Sequence, residues 1–107
     1  MTPEKIVQNK ILEYLSDLQS SGKKVYFERR QAGGYNYKHG IPDVYAIING
    51  IHLEIEVKKK NGTRRPTQID FAMKCKKYGV AYICCDDVEK LKELVEKILK
   101  IKFTFIK

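Results

Sequence analysis

Apolar residues recur at helical spacing near the start of the chain, alternate with polar ones through its middle, and return to helical spacing near its end. Over residues 3–20, Ile6 or Val7, Ile11, Leu15 and Leu18 form one stripe, which Leu12 and Tyr14 widen. Thr2 suits the N-cap and Pro3 the first helical position, while Ser20, Ser21 and Gly22 predict the end. Residues 24–31, KVYFERRQ, are rich in strand formers and predict a strand. Residues 32–41, AGGYNYKHGI, hold three glycines and an asparagine and predict a loop. Residues 43–48 and 51–58 read as two strands joined by Asn49-Gly50, the signature of a two-residue type I′ hairpin turn. A basic loop spans 59–65, and Pro66 then opens a helix that runs to about Tyr78 and stops at Gly79. Residues 80–85, VAYICC, predict a short buried strand that places Cys84 and Cys85 in the core. Asp86 or Asp87 caps a last helix to about Lys100, with Val88, Leu91, Leu94 or Val95, Ile98 and Ile101 facing inward; residues 102–107 read as an edge strand. The order α-β-β-β-α-β-α predicts an α/β fold with a mixed central sheet flanked by helices.

The hairpin turn determines which side chains meet. With Asn49 and Gly50 as the turn, Ile48 faces Ile51 and Asp43 faces Glu56. Residues 43, 45 and 47 then share a face with 52, 54 and 56, and Lys58 joins them. Directly opposed carboxylates have Cβ atoms about 5 Å apart. At an effective dielectric of about 20 they repel by roughly 3 kcal/mol. Lys58 offsets part of this, and a divalent cation offsets more; hard oxygen ligands suit Mg²⁺, with Mn²⁺ as a substitute. The Val57 carbonyl is a further candidate ligand. A solvated hairpin face is the plainer alternative, but Tyr45 and Ile47 share that face and predict that it is half-covered. Glu54, on the same face, is expected to pair with a lysine away from any metal.

The chain has 107 residues and a mass of 12.5 kDa, which predicts a single domain over 1–107. No apolar run approaches the roughly 20 residues that span a membrane. The first residues, MTPEKIVQNK, hold no apolar signal-peptide core, and Cys75, Cys84 and Cys85 form no CxxC pair. A reduced intracellular protein is expected, with neither a disulfide framework nor a zinc site. The net charge of +8 is concentrated between residues 23 and 78. Such an excess predicts a polyanionic partner, and because it falls in loops, nucleic acid fits better than a membrane surface.

Gly40-Ile41-Pro42-Asp43, a twelve-residue interval, and Glu56-Val57-Lys58 together resemble the PD-(D/E)xK nuclease superfamily, and within it the VRR-NUC family. The Gly33-Gly34 loop, the basic glycine-containing linker after Lys58, Pro66-Thr67-Gln68 at a helix start and Glu4 in the first helix extend the resemblance over about residues 4–88. The resemblance implies a restriction-endonuclease-like core and a metal-dependent endonuclease acting on DNA. Four-way (Holliday) junctions are the expected substrate, since stand-alone members of the family, some of them viral, resemble junction resolvases. A flap or duplex nickase and a non-catalytic binding module are the alternatives, and the intact motif disfavours the last. By residue, the resemblance implies Asp43, Glu56, Val57 and Glu4 around the metal, Lys58 orienting the attacking water, and Gln68 holding the lysine or the phosphate. The helix dipole alone also accounts for an acid at Glu4. Gln8, one turn on, could touch the site but reads as solvated; His39 could contact phosphate but reads as an incidental loop residue, and His52 reads as a strand surface residue. Tyr35, Tyr37 and Lys38, with Lys59, Lys60, Arg64 and Arg65 in the linker, are the expected nucleic-acid contacts. The two-fold symmetry of a four-way junction predicts a homodimer, with Tyr14 and the tail residues Phe103, Phe105 and Ile106 as a candidate surface.

Overall fold

The computed structural model describes residues 1–31 and 33–101. The tail at 102–107, including Phe103, Phe105 and Ile106 and the expected edge strand, lies outside the described residues.

Helix α1 spans Pro3–Ser20, and the Lys5 backbone N–H donates to Thr2 Oγ1 at 3.2 Å, so the cap forms as its chemistry requires. Ile11 and Leu15 are fully buried, with Gln8 beside them. Strand β1 is Val25–Arg29. Helix α2, Gly34–Lys38, replaces the expected loop: one short turn of helix folds within the glycine-rich stretch and buries none of its residues. Strands β2 (Val44–Ile48) and β3 (Ile51–Val57) meet at Asn49 and Gly50, whose φ values of 51° and 83° are those of a type I′ turn. Helix α3 is Pro66–Tyr78, closed by Gly79 at φ 75°. Strand β4 is Ala81–Cys85. Helix α4 is Val88–Leu99, capped when the Glu89 N–H donates to Asp87 Oδ1 at 2.9 Å.

The sheet order is β1-β2-β3-β4. The first three strands are antiparallel neighbours, and β4 runs parallel to β3 after the crossover through α3. In β2–β3, Ile48 pairs with Ile51, Tyr45 with Glu54 and Val44 with Ile55, the register that the turn predicted. One face of the sheet presents Val44, Ala46, Ile48, Leu53, Ile55, Val57 and Cys85 to α1 and α4, and this is the main core. Among the described residues, α3 covers the other face over β3 and β4: Phe71 of α3 lies against Tyr82, and Gln68 reaches Glu56. Cys85 is in the core, whereas Cys84, one residue before it, is only half-buried. Over β1 and β2 no helix among the described residues covers the second face, with Tyr26 46% and Ile47 37% exposed.

Gly40 ties the loop before β2 to the start of α3. Its φ is 68°, and a Cβ there would overlap the Thr67 carbonyl and the Gln68 backbone nitrogen. Both neighbours are backbone and cannot swing aside. Gly40→Ala is therefore expected to destabilise the fold by about 2–4 kcal/mol, combining left-handed strain with overpacking. Urea denaturation measures it, and Gly34→Ala, whose added Cβ would meet nothing within 4 Å, is the near-neutral comparison.

Candidate active site

At the end of the sheet where β3 finishes, α1, α2, β2, β3 and the start of α3 enclose a cleft of about 560 Å³. Its walls include Glu4, Gln8, Tyr37, Asp43, Glu56, Val57, Lys58, Arg65 and Gln68. Five of the residues expected at the metal or in catalysis, Glu4, Asp43, Glu56, Lys58 and Gln68, are thus brought to one cavity from four elements or their flanks. The β2–β3 register continued by one residue sets Asp43 opposite Glu56. Lys58 follows β3, its backbone N–H donating to the Cys85 carbonyl at 2.8 Å, so β4 fixes the chain where the lysine emerges.

Glu56 is 5% exposed. Its Oε2 accepts from Gln68 Nε2 at 3.1 Å, while its Oε1 is buried without a hydrogen-bond partner. Burial pushes the Glu56 carboxyl up to about 7; Lys58 opposes the rise, and the negative charges of Asp43 and Glu4 add to it. Gln68 sits at the third position of α3, and its Oε1 accepts the Arg65 backbone N–H at 2.8 Å. Both ends of the amide are therefore committed: the oxygen caps the helix, which leaves the NH₂ to face the carboxylate. Arg65 lays its guanidinium 3.6 Å above the Tyr37 ring.

Glu54 has a different partner from the lysine expected. Arg30 grips it bidentately, Nη1 to Oε1 at 2.6 Å and Nη2 to Oε2 at 2.7 Å, and His52 Nε2 lies 2.5 Å from Oε2. Arginine succeeds where lysine would not because its planar fork matches both carboxylate oxygens in a site where Glu54 is only 4% exposed. Arg30 Nη1 also donates to the Pro42 carbonyl at 2.7 Å, and the Arg30 backbone N–H donates to the Asp43 carbonyl. Arg30 thus pins the two residues that present the Asp43 carboxylate, a role that its sequence position did not suggest. Its partners lie 12 and 24 residues away. The signal available was a carboxylate on a half-covered face that needed a cation.

Gln8 is another correction. It is 7% exposed, not solvated, and accepts from Lys5 Nζ at 2.8 Å on the wall of the cleft. Tyr35, Tyr37, Lys38, Lys59, Lys60 and Arg64 are exposed, with Tyr37 on the cleft wall. Tyr14 is partly buried against the main core.

Among the described residues, no three His, Cys, Asp or Glu side chains come together as a ready-made metal cage. The oxygen donors at hand are the unpartnered buried oxygen of Glu56, the exposed carboxylate of Asp43 and the backbone of Val57, with Glu4 also on the wall. That set would suit a hard octahedral cation that keeps several waters as ligands. It does not suit a fully enclosed structural ion.

No family model matches the chain, and no curated protein sequence matches it. A solved structure described as a VRR_NUC domain matches with a TM-score of 0.70 at 22% identity, over 90% of this chain and 97% of the other. The likeness is one of fold: a small restriction-endonuclease-like α/β architecture in which helices flank a mixed four-stranded sheet. Among the described residues, no helix is long and apolar enough to cross a membrane.

Proposed function

We propose that this chain is a nuclease of the VRR-NUC family: a Mg²⁺-dependent endonuclease, served also by Mn²⁺, that hydrolyses phosphodiester bonds in branched DNA. The observation that supports this most is the buried, half-partnered Glu56 carboxylate in a cleft shared with Asp43 and Lys58. A carboxylate held this way without compensation is costly, and a cation at that oxygen removes the cost. Asp43 and Glu56 would hold the cation, with the Val57 carbonyl and Glu4 completing its protein side. When bound, the cation lowers the pKa of water and polarises a phosphoryl oxygen. Lys58 orients the attacking water and balances charge that builds on the phosphate. Gln68, whose amide meets Glu56 Oε2 and not the lysine or the phosphate, would hold that carboxylate in place. Water adds to phosphorus as one P–O ester bond breaks, the leaving oxygen taking a proton.

The test is a panel of labelled four-way junctions, flaps, duplexes and single strands with Mg²⁺, Mn²⁺ or EDTA. Divalent-dependent cutting of branched forms is expected. Tight binding without cutting under every cation would leave a binding module in its place. If the panel shows paired cuts in four-way junctions, the enzyme making them is a two-fold dimer, and light scattering should then report twice the 12.5-kDa chain mass.

Binding should weaken steeply with salt, each neutralised phosphate contributing a log–log slope near −0.9. Lys59, Lys60 and Arg64 are exposed in the linker beyond the cleft, and Arg65 closes that linker at the cleft wall. Removing all four charges should flatten the slope by about 2–4 and weaken all sequences alike, as measured by fluorescence anisotropy. An unchanged slope would place the DNA on another surface.

A further inference from the structure

Helix α2 is unusual for what it leaves in water. It buries none of its five residues, yet two of them are tyrosines, 70% (Tyr35) and 68% (Tyr37) exposed. Neither ring gains much from packing within this chain. Tyr37 is stacked by the Arg65 guanidinium, with no second ring or cation stacked on it among the described residues, and it lines the cleft that holds Asp43, Glu56 and Lys58. Tyr35 is held in place by His39, with ring centroids 4.3 Å apart and a tilt of 41°. The backbone at Gly40 clamps the end of this segment against α3. Tyr37 thus presents an aromatic face on a cleft whose walls include Lys58 and Arg65, and Tyr35, two residues before it on the same short helix, presents another.

We propose that α2 is a base-stacking platform, and that the DNA this site takes has an unpaired nucleotide beside the phosphate in the cleft. The inference rests on the nuclease reading above and narrows its substrate to branched forms with a free base, flaps foremost. In a paired duplex each base face is already covered by its neighbours. Only an unpaired nucleotide can offer a face to a tyrosine while its phosphate stays among the cations. An arginine over one face of Tyr37 restrains the ring and leaves the opposite face for the base.

The probe is flap DNA carrying 2-aminopurine at the unpaired junction nucleotide, set against a fully paired duplex, with Ca²⁺ in place of Mg²⁺ so that nothing is cut. Expected is quenching at the unpaired position and tighter binding of the flap than of the duplex. Tyr35→Ala/Tyr37→Ala should abolish the quenching and weaken flap binding about 5- to 150-fold, the range of one lost base–aromatic stack. Tyr37→Phe should retain both, since it keeps the ring and loses only the hydroxyl. Tyr78→Ala, at an equally exposed tyrosine on the far end of α3, should change neither. Equal affinity for flap and duplex, or quenching that survives the double substitution, would overturn the proposal. Cleavage is read separately in Mg²⁺. If the wild type cuts flap and duplex alike and the double variant matches it, stacking is refuted and the nuclease reading stands. If the wild type stacks the base and cuts nothing, the nuclease reading is what fails.

Discussion

Glu56→Gln should abolish cleavage, by a factor on the order of 10³, and at the same time make the metal-free protein more stable. The two effects share one cause. Glu56 is 5% exposed, lacks a partner on Oε1, and shares the cleft with Asp43 and Glu4. Burial lifts its carboxyl from near 4.5 to about 7 in the folded chain. The folded state therefore binds a proton that the unfolded state releases between those values. The stability contributed by protonated Glu56 is full below about 4.5 and lost as pH rises through about 7. In EDTA the wild type should lose about 1–3 kcal/mol across that window, the upper figure applying to a group fully shielded from solvent. The glutamine variant should show no such loss, since the neutral amide keeps the shape and can still accept from Gln68. Urea unfolding at pH 5 and pH 8 measures this. Added Mg²⁺ should stabilise the wild type at pH 8 and leave the variant unmoved, because only the wild type gains from a cation bound to its folded state. A variant that cuts at the wild-type rate would remove Glu56 from the site.

Glu54→Ala, two residues earlier on the same strand, should act in the opposite direction. Glu54 is 4% exposed and holds Arg30 through two hydrogen bonds. Removing it strands a half-buried guanidinium that also holds the Pro42 carbonyl. Breaking one side of a buried ion pair costs about 3–5 kcal/mol. Thermal melts should show it as a fall of well over 10 °C for a chain of this length. Replacing both partners, as in Arg30→Met/Glu54→Leu, should recover much of the stability, since no charge is then left unpaired. It should recover cleavage only in part, because the Pro42 carbonyl next to Asp43 loses the Arg30 Nη1 hydrogen bond, while the Arg30 backbone N–H still holds the Asp43 carbonyl. Glu54→Gln, which keeps an acceptor for Arg30, should retain metal-dependent cutting. Loss of cutting in Glu54→Gln, with Glu56→Gln active, would mean that the ligand is Glu54.

Much of the fold was legible because its signals are local. The apolar stripe of α1, the Asn49-Gly50 turn and Gly79 each act on their immediate neighbours, and the turn alone sets the register that aligns Asp43 with Glu56. What escaped depends on distant partners. The glycine-rich stretch reads as a loop, and α2 is held by Arg65 on Tyr37 and by the close approach of Gly40 to Thr67, contacts about 27 residues apart in the chain. Arg30 emerges only when β1 is placed beside β2, which no short pattern specifies. Gln8 becomes buried because α1 docks at the end of the sheet, and the helical stripe shows only which side faces inward, not what lies over its end.

The Asn49-Gly50 turn also bears on the order in which the molecule assembles. β2 and β3 are adjacent in the chain, so their pairing is local and closes early, bringing Asp43 and Glu56 together while water still surrounds them. Charges so placed are well screened, and the early hairpin forms at little electrostatic penalty. The penalty arises when α3, whose Gln68 seals one side of Glu56, packs onto the sheet, a step expected to follow the local hairpin because its partners lie further apart in the chain. Removing the charge at Glu56 should consequently leave the refolding rate nearly unchanged and slow unfolding, a low φ-value at the residue most burdened in the native state. The lifetime of the metal-free fold, more than its speed of formation, is then what the buried Glu56 carboxylate costs.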